Sequence, residues 1–319
     1  MAFRVLITDR AWPDSRVERE ILGEVGAEVF ESPSGDEATL IEAARDCDAI
    51  ATCWARVTRA VIDAAPRLQT IARLGIGLDN ICVEAATERR IPVTNVPDYC
   101  VSEVSDHALA LLLAGARKIA FFHHRAKQGE YKLQSGGQLR RLSGRTLGLV
   151  GLGHIGRALV PKGRALGLDV IANTKSGDDH GTGCRMVSLE ELLRTSDYIS
   201  LHLPVTDETR GLLGENEFGA MKSGAWLINT SRGALIDHDA LWRAIEKGQI
   251  AGAGLDVFDP EPPDLSHPLF RDERVIVTPH AAFLSEESLQ EMRERAARQL
   301  ADVLRGARPA NVVNPEIYG

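Results

Sequence analysis

The chain has 319 residues, of which 26% are charged and 44% hydrophobic, and its formal net charge at pH 7 is −8. This composition is ordinary for a folded globular protein, and a length above ~250 residues predicts two domains. The excess of negative charge disfavours nucleic acid and anionic membranes as partners, so any bound anion must be held by a local site.

Five scattered cysteines lack any Cys-x-x-Cys pair. We therefore expect free thiols in a reducing cytoplasm, and no metal site is predicted. The longest apolar run, residues 108–116, is shorter than the ~20 residues that a membrane span needs. The first nine residues are typical of a strand rather than of an export signal, so we expect a cytoplasmic protein with no membrane partner.

Short apolar strands alternate with helical stretches in the first third of the chain. Strands are predicted at residues 3–8, 27–30, 48–53, 68–74 and 91–96, and helices at 15–26, 37–45 and 58–65. Such alternation predicts a parallel sheet with crossover helices, which we expect to form a domain of its own.

Two glycines follow the predicted strand at residues 68–74, within R-L-G-I-G-L-D-N at 73–80. Backbone amides exposed at the carboxyl end of a parallel strand suit a carboxylate. The alternative is a tight strand-to-helix turn, and the residues alone leave both interpretations open.

A helix is predicted after Ser102, which is suited to cap it, with Glu103 and Asp106 near its start. Residues 108–116 are apolar on all sides, which predicts a buried helix at a central position between two domains. Residues 129–142 are polar and contain glycine, and we expect a surface connection there.

The segment T-L-G-L-V-G-L-G-H-I-G at residues 146–156 predicts a dinucleotide-binding turn. Its first glycine, Gly151, permits a tight turn, Gly153 lets the backbone approach a pyrophosphate, and Gly156 lets the next helix pack on the strand. A helix starting near His154 would direct its free amides at the phosphates. The spacing alone is weak evidence, but a strand precedes it and a helix follows.

The end of the next predicted strand, residues 169–172, bears on the choice of cofactor. NAD sites usually place an acid there for the ribose 2′-hydroxyl, whereas Asp169 stands at the start of this strand. Because Thr174 and Lys175 follow the strand and no acid does, the sequence slightly favours NADP over NAD. That Lys175 simply points into water is the open alternative.

Three polar residues stand after successive predicted strands in the second half of the chain: Arg232, Glu261 and His280. That edge of a doubly wound sheet is where ligands bind. Each residue alone is more typical of surface, turn or structural positions. Together with a nicotinamide-binding fold, they indicate an active site.

The chain resembles the D-isomer-specific 2-hydroxyacid dehydrogenase family over essentially its whole length. Six segments occur in the order of the family: R-L-G-I-G-L-D-N at 73–80, G-L-G-H-I-G at 151–156, H-L-P at 202–204, N-T-S-R-G at 229–233, D-V-F-D-P-E-P-P at 256–263 and T-P-H-A at 278–281. Residues 97–107 are more similar to the branch that contains the C-terminal-binding-protein corepressors and their bacterial enzyme relatives.

The resemblance implies an α/β protein with two doubly wound parallel-sheet domains. A Rossmann dinucleotide-binding domain, residues 99–283, would be inserted into a flavodoxin-like substrate domain made of residues 1–98 and 284–319. The helix that follows Ser102 would mediate a homodimer.

The implied activity is hydride transfer between NAD or NADP and a small 2-oxo or D-2-hydroxy acid. In the family, the residue at the position of Arg232 binds the substrate and the one at His280 is the acid and base. Glu261 would supply a carboxylate that favours the charged imidazole, whose ordinary pKa is ~6.5.

Further contacts are implied by the resemblance. Amides of Ile76 and Gly77 would hold the substrate carboxylate, and Trp54 and Tyr99 would lie near its side chain unless they belong to a core or interface. Asp256 would contact the nicotinamide amide. The other implied cofactor contacts are Gly151, Gly153, His154, Ile155, Gly156, Thr174, Lys175, Pro204 and Thr230.

Substrate identity stays open at this stage. Members that act on 3-phosphoglycerate carry an arginine where this chain has Thr52, so phosphoglycerate is disfavoured, although Arg56 is close in sequence. One alternative function is a dinucleotide-sensing, corepressor-like binding protein, which the lack of long extensions disfavours. Another is a dehydrogenase acting on a phosphonate or phosphite.

Overall fold

The computed structural model describes residues 2–319, which form two compact units. The first unit comprises Met1–Tyr99 and Ser285–Gly319, and the second comprises Cys100–Leu284. The sequence analysis placed the domain boundaries after residues 98 and 283. The assignment of the two parts as substrate and dinucleotide domains stays a prediction.

A five-stranded parallel sheet forms the centre of the first unit, in the order β2-β1-β3-β4-β5. This is the flavodoxin-like arrangement. Its elements are β1 (Phe3–Ile7), α1 (Arg16–Gly23), β2 (Ala27–Glu31), α2 (Glu37–Ala44), β3 (Ala49–Thr52), α3 (Arg59–Asp63), β4 (Thr70–Arg73), α4 (Val83–Glu88) and β5 (Val93–Thr94), followed near the end of the chain by α11 (Glu286–Leu304) and a 3-10 helix (Pro315–Tyr318). The predicted α/β architecture is confirmed.

The last helix, α11, returns the chain to this first unit. Ser285 caps it by accepting a hydrogen bond from the Ser288 amide, as its N-terminal sequence favours. On its buried face, Arg293 forms a two-point ion pair with Glu18 of α1, with N–O distances of 2.8 Å. The C-terminal segment of the chain is therefore an integral part of the first unit.

A seven-stranded parallel sheet forms the second unit, in the order β12-β11-β10-β9-β6-β7-β8. This is the Rossmann order with one strand added, and the order reverses between β6 and β9. Its elements are α5 (Val101–Ala116), α6 (Ile119–Lys127), a 3-10 helix (Leu133–Gly136), β6 (Thr146–Val150), α7 (His154–Ala165), β7 (Asp169–Asn173), β8 (Arg185–Met186), α8 (Leu189–Thr195), β9 (Tyr198–Leu201), α9 (Glu215–Ala220), β10 (Trp226–Asn229), a 3-10 helix (Gly233–Leu235), α10 (His238–Glu246), β11 (Gly252–Leu255), a 3-10 helix (Pro268–Arg271) and β12 (Val275–Val277).

Two local predictions for this unit were wrong. Ser102 does not cap α5, because the helix begins at Val101 after Cys100, and no side chain caps it. The apolar run 108–116 is not buried on all sides, since Ala110 is exposed and only one face packs on α7, β10 and β11. Alanine is apolar without needing burial, so composition overstated the buried surface. Helix α6 was not predicted.

The cysteines of the described chain form no disulfide bonds. All five cysteines are free thiols, and burial raises the pKa of Cys47 and Cys53 to about 12. In residues 2–319, no helix combines the length and apolar character needed to cross a bilayer.

His202, at the end of β9, is a histidine buried inside the second unit. Its Nε2 lies 2.8 Å from the Ser200 hydroxyl, and its carbonyl lies against Gly151. Burial lowers the pKa of His202 to about 4 from its ordinary 6.5, since the charged ring would lose its hydration. The imidazole is therefore neutral in the folded protein at neutral pH.

This burial predicts an acid-sensitive contribution to stability. Between pH 6.5 and 4 the unfolded chain protonates His202 and the folded chain does not, so the contribution is complete above pH 6.5 and is lost as the pH falls. Relative to His202→Gln, the wild type should lose about 2 kcal/mol of unfolding free energy between pH 7 and pH 5. Urea unfolding followed by circular dichroism measures this difference.

The matched control is His123→Gln, at an exposed position on α6, which should leave the pH dependence of the unfolding free energy unchanged. Equal pH dependence in the wild type and in His202→Gln would contradict a neutral, buried His202.

Candidate active site

Arg232, Glu261 and His280 lie in the loops that follow β10, β11 and β12, three adjacent strands of one parallel sheet. Because parallel strands end at the same edge, these loops emerge side by side. The structure therefore places all three predicted side chains at the carboxyl edge of the second unit.

Glu261 and His280 form a direct hydrogen bond, with Glu261 Oε2 2.7 Å from His280 Nδ1. The other oxygen, Oε1, accepts from the Phe258 amide at 2.9 Å. Burial works to raise the pKa of Glu261, but the hydrogen bond and charge of His280, the Phe258 amide and the charge of Arg232 outweigh it and lower that pKa. An ionised Glu261 holds the proton on Nδ1, which leaves Nε2 to exchange a proton with a ligand.

The backbone of His280 is held in the left-handed region, with φ = 52°. Few residues other than glycine adopt this conformation, and it is concentrated at functional sites. The His280 amide donates to the carbonyls of Asp256 (2.8 Å) and Thr278 (3.1 Å).

The buried side chain of Asn229 holds the loop that carries Arg232 through two hydrogen bonds. Asn229 Oδ1 accepts from the Ser231 amide at 3.0 Å, and its Nδ2 donates to the Arg232 carbonyl at 2.8 Å. The next residue, Gly233, packs so tightly that a Cβ there would lie 1.9 Å from the Phe258 carbonyl carbon. Since the Phe258 amide binds Glu261, glycine at 233 holds the Arg232 and Glu261 loops in contact.

The three glycines of the turn after β6 differ in the space around each Cα. At Gly151 φ is 101° and a Cβ would lie 2.2 Å from the His202 carbonyl oxygen, while at Gly156 it would lie 2.4 Å from the Gly151 carbonyl oxygen. No heavy atom lies within 4 Å of a Cβ added at Gly153, which immediately precedes α7. Two glycines are thus needed for packing, and the third keeps space open beside the free amides of a helix start, where a pyrophosphate fits.

Two buried polar atoms near the carboxyl edge have no hydrogen-bond partner within the described chain: Thr230 Oγ1 and His202 Nδ1. Buried polar groups are normally paired, so unpaired ones indicate a missing ligand or water. Thr230 was predicted as a cofactor contact, and Pro204, two residues after His202, is exposed. The open glycine turn and these unpaired atoms fit a bound dinucleotide.

After the end of β7, Lys175 has an acidic partner that the sequence analysis did not predict. Lys175 Nζ lies 2.6 Å from Glu208 Oε2, and both side chains are largely exposed. Asp169 is exposed at the start of β7. Glu208 lies in the loop after β9, so no local spacing along the chain could have revealed it. A carboxylate therefore does approach the end of this strand, although it comes from another loop.

In the first unit, Ile76 and Gly77 follow β4 and are half-buried. Arg73, at the end of β4, is only 8% exposed, and its Nε has no hydrogen-bond partner. None of the ion pairs in residues 2–319 includes Arg73, whose Nη1 donates to the Leu74 carbonyl. A Cβ at Gly75 would lie 2.7 Å from Arg73 Nη1, so the guanidinium lies directly against this turn.

The sequence analysis did not identify Arg73 as a buried charge beside the turn at residues 75–77. The one available signal was an arginine at the end of a buried strand. A permanently charged group buried without a counter-ion is costly. The buried charge of Arg73 therefore favours an oxyanion site over a plain turn at residues 75–77. Trp54 is partly exposed and Tyr99 is buried within the chain.

Comparison with known proteins gives a consistent result. Residues 109–282 match the family model for the D-isomer specific 2-hydroxyacid dehydrogenase, NAD binding domain. A glyoxylate reductase from Korarchaeum cryptofilum is 39% identical over 285 residues, which cover 87% of this chain and 86% of that protein.

Solved structures agree over nearly the whole length. D-lactate dehydrogenase from Aquifex aeolicus, complexed with NAD and lactic acid, has a TM-score of 0.88 at 29% identity and covers 97% of this chain and 99% of that chain. NADPH-dependent glyoxylate/hydroxypyruvate reductase from Sinorhizobium meliloti, in complex with NADP and malonate, has a TM-score of 0.88 at 30% identity and covers 98% and 97%. The chain therefore belongs to the D-isomer-specific 2-hydroxyacid dehydrogenase family and is an NAD(P)-dependent enzyme of that class.

Proposed function

We propose that the enzyme interconverts a small 2-oxo acid and its D-2-hydroxy acid, with His280 as acid and base, Glu261 as its partner and Arg232 binding the substrate. The observation that carries this assignment is the 2.7 Å hydrogen bond between Glu261 and His280 at the sheet edge. Similarity to glyoxylate reductases supports a substrate as small as glyoxylate or hydroxypyruvate.

Each side chain has a defined task in this proposal. Glu261 keeps the Nδ1 proton of His280 in place, so Nε2 gives its proton to the carbonyl oxygen during reduction and takes it back during oxidation. Arg232 uses a planar, permanently charged guanidinium to hold the substrate through paired hydrogen bonds. The nicotinamide, when bound, supplies or accepts the hydride.

The predicted role of Ile76 and Gly77, holding the substrate carboxylate with their amides, is also a proposal. The buried charge of Arg73 beside Gly75 supports it, because an anion on these amides would be the counter-ion that Arg73 lacks in the described chain. The predicted cytoplasmic location stays a proposal that five free thiols support.

The test is the loss of 340 nm absorbance with NADH or NADPH across glyoxylate, hydroxypyruvate, pyruvate, phenylpyruvate, 2-oxoisovalerate and phosphonopyruvate. We expect turnover of glyoxylate or hydroxypyruvate. His280→Ala should lower kcat by about 10²–10⁴-fold because it removes the proton donor, with dinucleotide affinity retained. Arg232→Lys should raise KM and lower kcat together, because an ammonium cannot replace the planar fork.

Wild-type turnover in His280→Ala would refute the acid–base assignment. If the wild-type enzyme binds a dinucleotide and oxidises phosphite but turns over none of the 2-oxo acids, the phosphite alternative would replace this one. Dinucleotide binding without any turnover would favour the sensor alternative.

For the cofactor, we propose a modest preference for NADPH set by Lys175. A ribose 2′-phosphate would compete with Glu208 for this lysine, and an exposed ion pair is weak enough to be displaced. Lys175→Ala should lower kcat/KM for NADPH by about three- to tenfold and leave NADH nearly unaffected, while Glu208→Gln should shift the ratio towards NADPH.

Lys247→Ala, which removes the same charge from an exposed position at the end of α10, is the control for net charge. A kcat/KM ratio between NADPH and NADH that is the same in the wild type and in Lys175→Ala would argue against this role for Lys175.

We also propose a homodimer. Between α6 and residue 139, the second unit exposes several large apolar side chains, and Tyr131 is 94% exposed. No residue of α6 is buried. The exposed set is Ile119, Tyr131, Leu133 and Leu139. Exposed large apolar side chains concentrated in one stretch of the chain support a protein interface there.

Sedimentation equilibrium should therefore give about twice the 34.7 kDa mass of the chain. Replacing both Tyr131 and Leu133 by aspartate should shift the protein towards the monomer, because charge would be buried at the interface. A monomeric wild type at micromolar concentration would rule out this interface.

A further inference from the structure

Two peptide groups of the turn after β4 are held by their carbonyl oxygens. The Gly75 carbonyl accepts from the Val96 amide at 3.0 Å, and the Ile76 carbonyl accepts from Asn95 Nδ2 at 2.8 Å. Both peptide groups are trans, so the amide that follows each carbonyl points in the opposite direction. The amides of Ile76 and Gly77 are therefore directed away from the segment that holds the two carbonyls.

Neither of these two amides has an acceptor in residues 2–319. Ile76 and Gly77 are both half-buried, and the guanidinium of Arg73 lies against the same turn. Adjacent backbone amides without protein acceptors form a site for an anion. The hydrogen bonds to the two carbonyls thus explain how this turn comes to present a pair of available donors.

Asn95 is itself held by the last part of the chain. Gln299 of α11 is only 3% exposed, and its Nε2 donates to the Asn95 carbonyl at 3.0 Å. The other end of the same amide group, Oε1, accepts from the Asn311 amide at 2.8 Å. Gln299 therefore joins the C-terminal segment to the segment after β5, although 204 residues separate it from Asn95 in the sequence.

We propose that Asn95 is a positioning residue that directs the amides of Ile76 and Gly77 towards the substrate carboxylate. Gln299 holds Asn95 in place for this task. The inference rests on the proposed carboxylate-binding role of the two amides. Without the Asn95 donor, the Ile76 carbonyl would lose its partner, so its peptide group would be free to rotate and the Gly77 amide would no longer be fixed.

The experiment compares Asn95→Leu with the wild type, because leucine has a similar branched shape and no hydrogen-bond donor. Steady-state kinetics on the best substrate of the panel give KM and kcat, and fluorescence titration gives the dinucleotide Kd. We expect KM to rise about 10- to 100-fold, the factor that a hydrogen bond to a charged group contributes. Because binding is lost rather than proton transfer, kcat should change by less than about threefold. The dinucleotide Kd should stay within about twofold.

A spectroscopic measurement reports on the turn directly. In enzyme labelled with ¹⁵N-isoleucine, the Ile76 amide resonance is assigned by its absence in Ile76→Val. Titration with oxalate, a carboxylate that the enzyme cannot reduce, should shift this resonance in the wild type. In Asn95→Leu the same shift should need about tenfold more oxalate.

Asn216→Leu, at an exposed position of α9, is the matched control and should leave KM and the oxalate titration unchanged. Gln299→Met replaces Asn95→Leu if that variant does not fold, since methionine matches the length of glutamine without its amide group. It should raise KM by about threefold or more, because Asn95 would be held less firmly. The oxalate titration of the wild type requires neither variant.

Unchanged KM and unchanged oxalate affinity in Asn95→Leu would overturn the proposal. A dinucleotide Kd that rises as much as KM would overturn it in favour of a merely structural role. If the wild type turns over none of the substrates, the proposed function fails, and the oxalate titration then decides the positioning role separately. An Ile76 resonance that does not respond to oxalate in the wild type, or responds equally in Asn95→Leu, would refute that role.

Discussion

All seven strands of the second unit run in the same direction, so every loop that follows a strand emerges at one edge of its sheet. This single constraint brings together residues that are far apart in the sequence. Arg232, Glu261 and His280 come from three separate loops, and the glycine turn after β6 opens at the same edge. The reversal of strand order between β6 and β9 separates neighbouring loops there and leaves the space that a dinucleotide needs.

Close contacts between backbone segments determine how the loops at this edge of the sheet are positioned. Gly151, Gly156 and Gly233 each stand where a Cβ would overlap a backbone atom of a neighbouring segment. Interiors are packed densely enough that such contacts allow almost no movement. The loop of Arg232 is therefore fixed against Phe258, and through the Phe258 amide it is fixed against Glu261. At Gly153 an added Cβ would contact no heavy atom, so this position leaves room for a ligand.

Buried polar groups play three distinct parts in this protein. Asn229 and Gln299 are paired at both ends of their amide groups and hold the segments that carry Arg232 and Asn95. His202 is kept neutral by burial and leaves one nitrogen unpaired. Arg73 is charged and has no counter-ion in the described chain, although its Nη1 donates to the Leu74 carbonyl.

Much could be predicted from the sequence, because the relevant signals are local. Alternation of strands and helices predicted the two parallel sheets, and strand, glycine spacing and helix together predicted the dinucleotide turn. Residues just after strands indicated the candidate site. Other features depended on contacts between segments distant in sequence and so required the tertiary structure. Glu208 reaches Lys175 from another loop, and Gln299 reaches Asn95 from the last helix. Burial and pairing of this kind depend on which loops lie side by side, and no single stretch of the chain contains that information.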